Sequence, residues 1–170
     1  PYMPGNQTVP HTATLATILV VDDEPSILKL CTALLEGAGF TVLQADGSSD
    51  ALRICTEHKG PIDLLLTDII LPPPGFQIAS GSNPFPHVHG LELAVRAATI
   101  RKGLHVILMS GNPDKDLASH GIKRGMLPFL GKPFEQERLL HLVQDVLAQP
   151  ASLMDVSGQA KAANDEEWFG

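Results

Sequence analysis

The chain holds only two cysteines, Cys31 and Cys55, in 170 residues. Both fall on apolar positions of helix-like segments. They read as small, buried, reduced thiols, which sets aside a disulfide framework or a cysteine metal site. Apolar runs are short, and none approaches membrane-spanning length. Clusters of Lys and Arg are lacking as well. The 12 basic residues face 19 acidic ones, a formal net charge of −7, so direct contact with nucleic acid is not expected. Residues 1–14 have neither a charged start nor an apolar centre. No signal peptide is expected there, and a cytoplasmic location is the default reading.

What the chain does have is 44% hydrophobic residues against 18% charged, enough for the core of one domain with tails. Residues 1–15 are polar, with three prolines, and read as a flexible leader. Residues 149–170 carry Asp155, Asp165, Glu166 and Glu167 against Lys161 and read as a disordered acidic tail or linker. That tail closes on Trp168-Phe169, a docking peptide if the pair has a role.

Between the two, apolar runs alternate with helical periodicity. Strands are expected at Thr17–Val21, Phe40–Ala45, Ile62–Thr67, Leu104–Met109 and Leu127–Leu130. Helices are expected from Pro25 to the glycines at 37 and 39, then at Asp50–His58, Leu91–Ile100, Pro113–Ser119 and Glu135–Leu147. Five strands alternating with five helices imply βαβ units and a parallel sheet. One stretch breaks the rhythm: Pro72 to His89 has five prolines, two glycines and no periodicity.

The chemistry sits where the runs end. Ile18–Val21 is followed by Asp22-Asp23, Asp63–Thr67 by Asp68, Val106–Met109 by Ser110-Gly111, and Phe129–Gly131 by Lys132-Pro133. Parallel strands would gather these residues at one carboxyl edge, where open α/β sheets bind ligands. Three carboxylates, a hydroxyl and an ammonium are parts for Mg²⁺ and phosphoryl chemistry. Each has a plainer reading. Asp22-Asp23 before Pro25 suits a helix cap, Ser110-Gly111 an ordinary turn, and Asp68 an exit to solvent. The agreement of four strand ends favours function. Lys132 at a buried strand end needs an anion, and its bond to Pro133 is a candidate for the cis form.

The motifs Val20-Val21-Asp22-Asp23-Glu24-Pro25, Leu65-Leu66-Thr67-Asp68-Ile69-Ile70-Leu71-Pro72, Met109-Ser110-Gly111 and Leu130-Gly131-Lys132-Pro133-Phe134 resemble the response regulator receiver domain of two-component signal transduction. The phrasing around Asp68 resembles receivers attached to hybrid histidine kinases. The resemblance covers residues 16–148. It implies a flavodoxin-like five-stranded parallel sheet, order 2-1-3-4-5, with helices on both faces. It implies that Asp68 takes a phosphoryl group from a histidine kinase or histidine phosphotransfer protein. Asp23, Asp68 and the Ile70 carbonyl would ligate Mg²⁺, with Asp22 acting through water. Ser110, Gly111 and Lys132 would bind the phosphoryl group, and Phe129 would turn inward as a switch. The downstream protein partner stays open, and no nucleic acid or membrane is implied.

The chain departs from that pattern at an insertion, residues 73–89, directly after the acceptor strand. It reads as a neutral surface loop or, through Phe76, Ile78 and Phe85, as a flap over the site. His87 and His89 alternate and could face a metal, although solvated loop histidines are the plainer expectation. Phe129 lacks a hydroxyl. Ile70 cannot position attacking water, which suggests a long-lived phosphoryl group. Two other functions are weighed. One is a phosphorylation-silent receiver serving as an interaction module. The other is a haloacid-dehalogenase-like phosphatase, whose first-strand Asp-x-Asp pattern Asp22-Asp23-Glu24 does not match.

Overall fold

The computed structural model describes residues 15–73, 85–123 and 125–151. Five strands form one sheet: β1 (Thr17–Val21), β2 (Thr41–Ala45), β3 (Leu64–Asp68), β4 (His105–Ser110) and β5 (Phe129–Gly131). All pairings are parallel, and the order is β2-β1-β3-β4-β5. The helices α1 (Pro25–Gly37), α2 (Ser48–Glu57), α3 (Gly90–Ile100), α4 (Pro113–Ser119) and α5 (Gln136–Leu147) fill the crossovers. This is the flavodoxin-like arrangement.

The sheet separates two cores. Leu19, Val21, Leu65, Val106 and Leu108 point to α2, α3 and Leu117 of α4. Their alternates Ile18, Val20, Leu64, Leu66, Ile107 and Met109 point to α1 and α5, onto Leu28, Cys31, Leu35, Leu139 and Val143. Period-two alternation on strands covered on both faces explains why β1 and β3 are buried end to end.

Strands β2, β3 and β5 start one or two residues later than expected, at Thr41, Leu64 and Phe129, and two other boundaries shift at buried hydroxyls. Strand β4 extends to Ser110 because that side chain is itself fully buried. Helix α2 begins at Ser48, whose buried hydroxyl accepts the Val88 N–H at 2.8 Å. Helix α1 runs from Pro25 to Gly37, and Gly39 beyond it holds a φ of 98°, which favours glycine. The Lys132–Pro133 peptide is cis.

Residues 74–84 of the expected insertion, with Phe76 and Ile78, lie outside the described residues, as do residues 1–14 of the expected leader and Trp168-Phe169. The returning end, residues 85–89, is built into the domain. Val88 is buried in the core, Phe85 packs against it, and the His89 Nδ1 accepts the Leu71 N–H at 3.2 Å. Arg101 pins the far end of α2 by donating to the carbonyls of Cys55 (2.8 Å), Gly60 (2.6 Å) and His58.

Candidate functional site

Register sets the site. Val21 pairs with Thr67, Asp68 with Met109, and Ser110 with Gly131, so the residues just past each strand share one edge. Asp22 follows β1 with no solvent exposure. Its Oδ1 accepts the Glu24 N–H at 2.9 Å, and its Oδ2 accepts from Lys132 Nζ at 2.5 Å. The same Nζ donates to Asp68 Oδ2 at 2.6 Å. Asp68 Oδ1 accepts the Ile70 N–H at 3.0 Å, which fixes the plane of the carboxylate. Asp23 is exposed, yet its carboxylate joins the group: one oxygen from each of Asp22, Asp23 and Asp68 lies within 4.8 Å of the others.

One ammonium shared between two carboxylates fully neutralises neither. Burial pushes the Asp68 pKa above the ordinary 3.8. The hydrogen bond and charge of Lys132 and the Ile70 N–H pull against this, and the nearby Asp22 charge adds to the rise. Burial alone would lower Lys132. Its hydrogen bonds to Asp22 and Asp68 and their charges outweigh that, and its pKa lies above the ordinary 10.5. The lysine therefore stays protonated near neutrality. Cys31, under the same pocket, is pushed up to about 12 by burial and by Asp22. An all-oxygen set of three carboxylates suits a hard divalent cation better than a soft one.

Glycine at position 90 completes the turn that follows Asp68. A Cβ there would sit 2.1 Å from the Asp68 carbonyl oxygen and 3.0 Å from the Ile69 Cα. Helix α3 thus starts directly on the end of β3, and the Gly90 N–H donates to the Ile69 carbonyl at 2.9 Å.

The other expected site residues divide. Ser110 lies at the same edge, but its hydroxyl donates to Asp116 Oδ2 of α4 at 2.5 Å and accepts the Asn112 N–H at 3.0 Å. Gly111 is exposed beside it. Phe129, half-buried on β5, borders a cavity of about 200 Å³ lined by Leu117, Lys123, Gly125 and Leu127. His87 and His89 do come together, ring centroids 5.5 Å apart, with His120 of α4 at 5.3 Å from His89. Their Nδ1 atoms face Ser48, the Leu71 N–H and the Asp116 carbonyl respectively. Among the described residues, only the three aspartates bring ligand atoms close enough for a shared ion. Sequence reasoning missed Asp116, which sits in a short polar helix without periodicity. It also missed the pairing of Ser48 with Val88, 40 residues away.

Comparison with known proteins gives the family. The family model of the response regulator receiver domain matches residues 18–79. Protein PilH of Pseudomonas aeruginosa is 30% identical over 134 residues, covering 79% of this chain and 99% of PilH. A response regulator receiver domain protein from Clostridium thermocellum superposes with a TM-score of 0.61 at 31% identity, over 79% of this chain and 95% of that one. The receiver domain of the hybrid histidine kinase CckA gives 0.58 at 28%, over 78% and 99%. Longer relatives match over a part only: the transcriptional regulatory protein GlrR of Escherichia coli is 26% identical across 90% of this chain but 29% of its own length. The chain spans less than a third of that relative. A near full-length match to PilH, the strand order and the aspartate–lysine edge make one case: the chain belongs to the response regulator receiver family, a signalling domain of two-component systems and not a classical enzyme.

Proposed function

We propose that Asp68 is the phosphoacceptor, taking its phosphoryl group from a histidine kinase or a histidine phosphotransfer protein. The observation that carries this reading is Lys132 Nζ bridging Asp22 and Asp68, with Asp23 in the same cluster. An oxygen of Asp68 forms the bond to phosphorus. The phosphorus–nitrogen bond to the donor imidazole breaks, and its electron pair leaves with that nitrogen. Such transfer depends mainly on position and charge neutralisation. The Ile70 N–H aims the carboxylate. Lys132 has three donors; two serve the aspartates, and the third is available to a phosphoryl oxygen.

Both Asp22 oxygens are already engaged, so its part is to hold Lys132 and to reach a cation through water. Asp23, Asp68 and the Ile70 carbonyl are the direct ligands in this reading. Bound Mg²⁺ would supply neutralising charge to the phosphoryl oxygens. The Gly111 N–H and the Ser110 hydroxyl complete the cradle. The cavity beside Phe129 gives its ring somewhere to turn, changing a protein-docking face formed by α4, β5 and α5. Residues 1–15 serve as leader, 73–89 as an insertion and 149–170 as tail or linker, in a cytoplasmic setting.

The test is intact mass after incubation with acetyl phosphate, with and without Mg²⁺, for the wild type and Asp68→Asn. An adduct requiring both Mg²⁺ and Asp68 is expected. No adduct on the wild type would instead leave an interaction module.

A further inference from the structure

We propose that Asp116 is a positioning residue that engages the Ser110 hydroxyl and competes with the phosphoryl group for its proton. The inference rests on Asp68 being the acceptor. It starts from a constraint of chemistry: a serine hydroxyl has one proton and donates one hydrogen bond. Here that proton is given to Asp116 Oδ2 at 2.5 Å, a charge-assisted bond. The acceptor side of the same oxygen is taken by the Asn112 N–H at 3.0 Å. Ser110 is fully buried, so water does not substitute for either partner.

Ser110 closes β4, the strand that pairs with β3, and lies one residue past the partner of Asp68. A phosphoryl group on Asp68 would bring acceptor oxygens to the edge where this hydroxyl stands. The proton cannot serve both. Phosphorylation that recruits Ser110 must break the bond to Asp116, and the two arrangements exclude each other. Asp116 lies in α4, which starts three residues after Ser110 and carries Leu117 into the core and the Phe129 cavity. Releasing Asp116 therefore frees a side chain adjacent to the residue that packs α4 down. The bond couples the acceptor to α4 with opposite sign in the two states, and each bias is reciprocal by linkage.

The experiment compares wild type, Asp116→Ala, Ser110→Ala and the double variant. The probe is beryllofluoride, a phosphoryl mimic, titrated with saturating Mg²⁺ and followed by amide NMR. Losing the competing bond should tighten probe binding about tenfold in Asp116→Ala, the scale of a net hydrogen bond to a charged group. In the Ser110→Ala background the same substitution should change affinity less than twofold, because no proton is left to compete for. Equal tightening in both backgrounds would mean that only the carboxylate charge matters, and would overturn the inference. So would unchanged affinity in Asp116→Ala. A second measurement needs no probe: amide exchange of Leu117–Gly121 should rise alike in both single variants and no further in the double, and independent increases would count against the bond. A wild type that binds no probe, while these exchange rates follow the pattern, would refute the acceptor role of Asp68 and the competition with it, while keeping the bond.

Discussion

At the scale of the residue, Lys132 is the cation on which two buried carboxylates depend, with Asp22 wholly inside the protein. Lys132→Met keeps most of the stem and removes the charge. It should cost about 3 kcal/mol in urea unfolding at pH 7 without divalent cations, as when one partner of a buried pair is deleted. Adding Asp68→Asn to Lys132→Met should recover part of that loss, since the two changes act on one network. These residues were legible because each closes an apolar run, which marks a strand end whatever the fold. Asp116 was not legible. Nothing in Pro113–Ser119 distinguishes one acidic residue from another, and only the placement of α4 over β4 selects it. The three-histidine contact was half legible: His87 and His89 are neighbours in sequence, while His120 arrives from another element.

At the scale of the element, the contact between α3 and β3 has no slack. Gly90→Ala would set a methyl group 2.1 Å from the Asp68 carbonyl oxygen, a clash with backbone that no rotamer relieves. It should cost about 3 kcal/mol by thermal unfolding, at the upper end for overpacking. The same substitution should slow phosphorylation of Asp68, because the acceptor turn must shift to make room; wild-type rates by intact mass would contradict this. Element types followed from periodicity, and all five strands and five helices stand where alternation put them. Their ends moved by one or two residues at Ser48 and Ser110, where a buried hydroxyl with a distant partner extends the element beyond its apolar run. The last residues of the 73–89 insertion are bound to Ser48 and Leu71, and Val88 supplies apolar surface to the core, which no local pattern announces.

At the scale of the molecule, titration and cation binding act on the whole folding equilibrium. Burial raises Cys31 to about 12 and Cys55 to about 11, against 9.0 for a free thiol. Above pH 9 the unfolded chain loses protons that the native chain keeps, so it binds fewer, and stability falls as pH rises. Lys132 adds to this, because its raised pKa gives stability that is complete below 10.5 and is lost as pH climbs through the folded value. Urea midpoints should therefore drop from about pH 9 upward, and Cys31→Ala with Cys55→Ala should flatten the slope below pH 10.5, before Lys132 contributes. In the other direction, Mg²⁺ at a hundred times its dissociation constant should stabilise the native chain by about 2.7 kcal/mol. Asp23→Asn should remove most of that gain, read as the shift in melting temperature. A parallel sheet was legible from strand–helix alternation. Its order came through the resemblance, since local pattern does not say that β1 sits between β2 and β3.

The bond from Lys132 to Asp22 joins residues 110 positions apart. During synthesis β1 and β3 emerge long before β5, so a growing chain carries its aspartates without the lysine that balances them. Contacts this distant in sequence are also slow to form. The charge balance of this pocket is thus among the last things the chain completes. If Asp68 is the acceptor as proposed, a nascent or half-folded copy would hold the carboxylate without its balancing lysine, and would not take up a phosphoryl group until its fifth strand had docked.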